Sequence, residues 1–187
     1  MKIHSRYLLR KGDDVPPDGY KRAGTVPFFI DRNTGKIYFF LMIDRVYRQL
    51  TDCGGRPARN EDWIDTAIRE TREESRGFFS FTRDQIHESL VCINNKTLNL
   101  IVFVDISSHL NTVGEAYKLC NLYRKDFIRG SSKHDKSKYL ENSMMKFYHF
   151  QGLYDVLESG ETVYRPVRLM LKRFIYSDGP SVLMNTR

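Results

Sequence analysis

A chain of 187 residues with 41% apolar side chains is long enough for one globular domain with a sizeable core and cramped for two. Three cysteines, odd in number, far apart and without a C-x-x-C pair, exclude a disulfide framework and a zinc site as organising features, so a cytoplasmic or other reducing intracellular setting is expected. The net charge of +7 points to polyanionic partners, RNA or highly phosphorylated small molecules, without choosing between them.

In chain order, the opening segment to Lys11 carries no signal-peptide core and reads as a strand, followed by a turn over Asp13 to Gly19 that contains Pro16 and Pro17. Thr25 to Ile30 and Lys36 to Ile43 are aromatic and β-branched and flank the turn-rich Asp31 to Gly35, which predicts a hairpin. Apolar runs such as Ile37 to Ile43 are too short to cross a membrane. Leu50 to Cys53 leads into Gly54 and Gly55, and a helix is expected from Asn60 or Glu61, with Asn60 as N-cap.

On that helix Glu70, Glu73 and Glu74 fall within roughly a 100° arc at the helical repeat. Three like charges so close repel one another. They call for basic partners or a hard divalent cation, for which oxygen-only ligands favour magnesium or manganese. Ile64, Ile68 and Thr71, bridged by Ala67, form a separate stripe suited to packing. The charges alone also fit a solvated helix of Arg/Glu pairs worth little each.

Downstream, His87 to Ile93 and Thr97 to Ile106 read as strands around a turn at Asn94 to Lys96. From about 109 to 138 the pattern reads as a basic insertion or lid, with helical spacing at Ala116, Leu119, Tyr123 and Phe127 and then the basic run RGSSKHDKSK, which includes Lys133. Its cations either guide a phosphate-rich ligand or merely solubilise a loop. Met144 to Phe150 reads as a late strand, Gly152 to Leu157 as a short connection, and about Thr162 to Tyr176 as a final helix packing through Val163, Val167, Met170, Leu171 and Phe174. Arg165, Arg168 and Lys172 share one side of it, as a solvated face or a contact for RNA or phosphate. Tyr164 and Tyr176 read as packing residues, and Trp63 as core or rim.

The segment from Gly55 through Glu61 to Arg69, Glu70, Glu73 and Glu74 resembles the signature of the Nudix hydrolases, G-x5-E-x7-R-E-U-x-E-E-x-G-U with U apolar. Weaker likeness in Arg22 to Phe29 extends the resemblance. Thr71 departs from the apolar position, and Arg76 precedes Gly77 and Phe78 where glycine and an apolar residue belong, as though the helix ran one residue longer.

The resemblance implies an α/β fold, a mixed sheet sandwiched between helices, and a magnesium- or manganese-dependent hydrolase of a phosphoanhydride. Glu70, Glu73 and Glu74, with Gly55, would hold metal, Glu61 would sit beside them, and Arg69 would orient the carboxylates. Glu141, ahead of the late strand, is either an additional general base or an exposed glutamate. Arg22, Arg45, Arg48 and Lys133 are candidate contacts for substrate phosphate. A nucleotide-type pyrophosphate, with the 5′ cap of RNA as one form, is the leading substrate. Diphosphoinositol polyphosphates, nucleotide sugars and dinucleoside polyphosphates are alternatives, and a non-catalytic module binding nucleotide or RNA is the rival of another class.

Overall fold

The computed structural model describes residues 7–16, 18–131, 141–159, 162–177 and 179–185. Among these described residues eight strands form one mixed sheet: β1 (Tyr7–Lys11), β2 (Arg22–Ile30), β3 (Ile37–Asp44), β4 (Leu50–Thr51), β5 (Cys53–Gly55), β6 (Leu90–Asn94), β7 (Asn99–Asp105) and β8 (Asn142–His149). The order is β1-β6-β7-β2-β3-β4, with β5 added to β2 and β8 to β3. β2 and β7 run parallel, and the other pairs are antiparallel.

Both faces of the central strands are covered, so these strands read as nearly unbroken apolar runs. Side chains alternate between two cores. Phe29, Phe40, Met42, Leu100, Val102 and Val104 face a layer containing α1 (Trp63–Glu74), α2 (Arg83–Glu88) and α3 (Val113–Ser131). Val26, Phe28, Phe39, Leu41, Ile101 and Phe103 face α4 (Phe150–Glu158), α5 (Arg165–Tyr176) and α6 (Gly179–Asn185). Phe174 stacks on Phe103 with ring centroids 3.8 Å apart. Among the described residues no helix is long and apolar enough to cross a membrane.

Several local expectations are corrected. α1 starts at Trp63 and is capped by Asp62, whose carboxylate accepts from the Asp65 amide at 2.8 Å. Asn60 instead lies in a left-handed turn, φ 67°. The segment around His87 is helical: α2 closes a capping box between Thr82 and Gln85, and the strand begins at Leu90. Gly152 to Leu157 lies within α4, because Leu153 and Leu157 sit one turn apart and are both buried. The next helix begins at Arg165, with Pro166 in its first turn. Of the segment read as an insertion, α3 packs on β8: Ala116 and Tyr123 are buried and Tyr117 meets Phe147 edge-on at 5.0 Å. Lys133 and the rest of its basic run beyond residue 131 lie outside the described residues.

Candidate active site

α1 lays its apolar stripe on the sheet and turns its acids toward β5. Trp63, Ile64, Ala67 and Thr71 are buried, and Trp63 is a core residue. Thr71 fits a position expected to be apolar because its hydroxyl donates to the Ala67 carbonyl at 2.6 Å and receives the Thr25 hydroxyl of β2 at 2.6 Å. A buried polar pair thus replaces a methyl contact.

β5 pairs with β2 through Ala23 opposite Gly55 and Gly24 opposite Gly54. The two strands pass so closely that a Cβ on Gly54 would lie 2.5 Å from the Gly24 Cα. A Cβ on Gly55 would occupy the space filled by the Glu70 carboxylate. Glycine is therefore required here by close approach, not by a turn.

Arg69 is the centre of the acidic face. Its Nε and Nη2 donate to the Glu61 carboxylate at 2.7 and 3.0 Å, its Nη1 to Glu70 at 2.7 Å and to Glu73 at 3.3 Å, and its Nη2 also to the Arg56 carbonyl at 3.0 Å. These bonds hold the Arg69 proton more firmly than usual, the Glu61 hydrogen bond contributing most, and keep Glu61 below the usual glutamate range. Glu74 is 9% exposed and accepts the Gly54 amide at 3.0 Å. Burial, then the charge of Asp52, pushes its carboxyl well above the ordinary value. Glu70 is raised by burial, against the pull of Arg69, with Glu73 and Glu141 adding repulsion.

The helix ends earlier than the sequence suggests. Glu74 is its last residue, Ser75 its C-cap, and Arg76 itself takes the left-handed position, φ 54°, followed by Gly77 at φ 77°. The Gly77 amide closes the end by donating to the Arg72 carbonyl at 2.8 Å. The Arg76 guanidinium lies 3.6 Å from the centre of the Tyr123 ring of α3.

Glu74, Gly54 and Gly55 form one wall of a cavity of about 870 Å³, also lined by Lys21, Arg22, Asp44, Tyr47, Gln49, Thr51, Arg56, Asn99, Asn142 and Tyr164. Tyr164 reaches it because the Leu50 backbone bridges to Val163, accepting the Tyr164 amide at 2.9 Å. Its ring is partly exposed, with the Arg22 guanidinium 5.6 Å from its centre, so it is a cavity residue and not the packing residue expected.

The sequence-predicted residues divide accordingly. Arg69, Glu70, Glu73, Glu74, Glu61 and Gly55 come together. Glu141 is exposed, and its charge reaches Glu70. Arg22 lines the cavity, but its guanidinium is bound to buried Asp52 at 2.8 and 2.5 Å and to the Gly54 carbonyl at 2.9 Å. It is a strut for the wall more than a free cation. Arg45 and Arg48 are exposed in the β3–β4 turn and do not line the cavity, whereas Tyr47 between them does. Asp52, Tyr47, Asn142 and Lys21 escaped sequence reasoning. None lies in a periodic pattern, and only Asp52, directly before Cys-Gly-Gly, carried a positional hint.

The donor set suits a hard cation in kind: carboxylates on one helix face, two of them burdened by burial and mutual repulsion that a positive ion would relieve. In spacing it is not closed. Among the described residues no three His, Cys, Asp or Glu side chains are gathered tightly enough to hold an ion. Arg69 holds Glu61, Glu70 and Glu73, and Gly54 holds Glu74.

No family model and no curated protein matches the chain. Solved structures do. RenU, a Nudix hydrolase from M. smegmatis, superposes with a TM-score of 0.50 at 10% identity, over 86% of this chain and 87% of that one. An Ap4A hydrolase from C. elegans in a binary complex aligns over 82% of this chain and 95% of that one, at 19% identity and a TM-score of 0.49. With its mixed sheet between helical layers and the glycine strand set against the acidic helix, the chain has the Nudix fold.

Proposed function

We propose that the protein is a divalent-cation-dependent hydrolase of phosphoanhydrides, acting on a nucleotide-type diphosphate. The observation that carries this reading is the acidic face around Arg69, with Glu74 opening into the large cavity. Glu70, Glu73 and Glu74 would hold magnesium or manganese, which when bound neutralises a diphosphate and acidifies a water molecule. Arg69 fixes the carboxylates of Glu61 and Glu70 through charge-assisted hydrogen bonds. Gly54 orients Glu74. Glu141, exposed and adding repulsion at Glu70, would take a proton from the attacking water.

The cavity favours a nucleotide over an inositol polyphosphate. Among the described residues three cations line it: Arg22 is paired with Asp52, which leaves Lys21 and Arg56, with Asp44 on the same lining. Tyr47 and Tyr164 supply ring faces suited to a planar base, and Gln49, Thr51, Asn99 and Asn142 supply neutral hydrogen-bonding groups. A capped RNA is the finer proposal. It rests on exposed Lys118, Arg124 and Lys125 of α3. α5 adds less, since Arg168 donates to the Leu157 carbonyl at 2.8 Å and Lys172 pairs with Glu158 at 2.7 Å.

The test is a substrate panel with and without chelator: capped RNA, free cap analogue, dinucleoside polyphosphate, nucleotide sugar and diphosphoinositol polyphosphate. Hydrolysis that persists in chelator, or in Glu73→Gln, would remove the mechanism. Rates on capped RNA that ignore RNA length and salt would remove the RNA proposal. One observation favours the rival reading, a module that binds without cleaving: Arg69 already occupies three glutamates. A magnesium titration decides, because that module would show no saturable binding dependent on Glu70 and Glu73.

A further inference from the structure

Asn142 opens β8 and contributes to the cavity wall, yet its side chain is buried and its Nδ2 has no hydrogen-bond partner. A buried amide donor without a partner is costly and uncommon in a folded protein. Its backbone, by contrast, is fastened with care. The Asn142 carbonyl accepts from Arg76 Nη2 at 3.0 Å, and the Tyr123 hydroxyl oxygen lies 3.3 Å from it. Arg76 also donates to the Tyr123 carbonyl at 3.0 Å and pairs with Asp126 at 3.2 Å. The Tyr123 hydroxyl donates at 2.7 Å to the carbonyl of Glu74.

This fastening has costs of its own. Arg76 adopts a left-handed backbone that favours glycine, and its side chain is 5% exposed with Nε unpartnered. The result ties the last residue of the acidic helix to Asn142 and to the chain that follows Glu141. It leaves the unpartnered Nδ2 on a residue that shares the cavity wall with Glu74.

We propose that Asn142 is a substrate-contacting residue whose Nδ2 donates to a phosphate oxygen of the diphosphate in the cavity, with Arg76 and Tyr123 as its positioning residues. The inference rests on the cavity being the diphosphate site. A neutral donor suits that place, because it binds an anionic oxygen without repelling the cation the carboxylates would hold. Arg76 acts through Asn142 and touches no substrate.

The experiment is calorimetric titration of ADP, in magnesium, into wild type, Asn142→Ala, Asn142→Ser, Arg76→Gly and the Asn142→Ala/Arg76→Gly double variant. Asn142→Ala and Asn142→Ser are expected to weaken ADP about tenfold. Arg76→Gly, which relieves the left-handed backbone, is expected to weaken it severalfold. The double variant is expected to be no worse than Asn142→Ala, since Arg76 has nothing left to position. Amide exchange at residues 142–145 is expected to quicken in Arg76→Gly while β2 and β7 stay protected. Wild-type affinity in both Asn142 variants overturns the contact, and fully additive losses overturn the positioning role. A wild type that fails to bind ADP while binding another diphosphate moves the substrate and keeps the test, repeated with that compound. Binding no diphosphate overturns the cavity reading and this inference with it.

Discussion

Gly55 decides where Glu70 can be. A methyl group there would overlap the Glu70 carboxylate, the far end of a side chain and not backbone, so the fold can absorb the change while the carboxylate is displaced. Gly55→Ala is expected to keep its melting temperature within a few degrees and lose about tenfold in magnesium affinity, read from an isotherm. Gly24→Ala differs, because its Cβ would meet the Cys53 carbonyl at 2.8 Å and the Gly54 Cα at 2.9 Å, both backbone. Glu74 makes a prediction about pH. Its folded carboxyl holds a proton more tightly than the unfolded one, so the stability it contributes is present below the ordinary glutamate value and is lost as pH rises through the raised one. Metal-free protein should therefore weaken from about pH 4 upward through that range. Glu74→Gln, which can still accept the Gly54 amide, should flatten this slope in thermal melts across pH and abolish turnover.

α1 is held in place by its start and by its buried face. Asp62, not Asn60, accepts the Asp65 amide, and it also pairs with Arg83 of α2 at 2.6 Å. Asp62→Ala is expected to cost about 1 kcal/mol in chemical denaturation, the usual worth of an N-cap. Asn60→Gly should cost nothing, because Asn60 already lies at positive φ. On the buried face, Thr71→Val strands the Thr25 hydroxyl and is expected to cost about 1–3 kcal/mol. Adding Thr25→Val should recover much of that loss, which a double-mutant cycle measures. The α5 cations illustrate a different lesson: their spacing is regular, but Arg168 and Lys172 are taken up by α4.

For the whole molecule, the sheet separates two cores, and the acidic helix belongs to one of them while Tyr164 enters the cavity from the other layer. An ion that binds the folded acidic face and not the unfolded chain must stabilise the protein by mass action, by about 2.7 kcal/mol at a hundredfold excess over Kd. Magnesium or manganese is expected to raise the melting temperature by several degrees, and chelator to reverse it. Glu73→Gln should abolish the rise, and a calorimetric scan checks each.

The sequence by itself determined the α/β class, the central strands, the amphipathic α1 and the register of Glu61, Arg69, Glu70, Glu73 and Glu74. All of these are periodic or fixed-spacing features, and periodicity expresses which side chains share a face. Only the tertiary structure decided that Arg22 is spent on Asp52, that Tyr47 and Tyr164 meet one cavity, and that Arg76 reaches Tyr123 and Asn142. These pairings join residues 30 to 66 positions apart, and some far more distant, across strand crossovers that leave no local pattern. The helix ends were missed for a related reason: Asn60 and Asp62 are both competent caps, and the winner is set by how α1 docks on the sheet, where Trp63 and Ile64 must be buried.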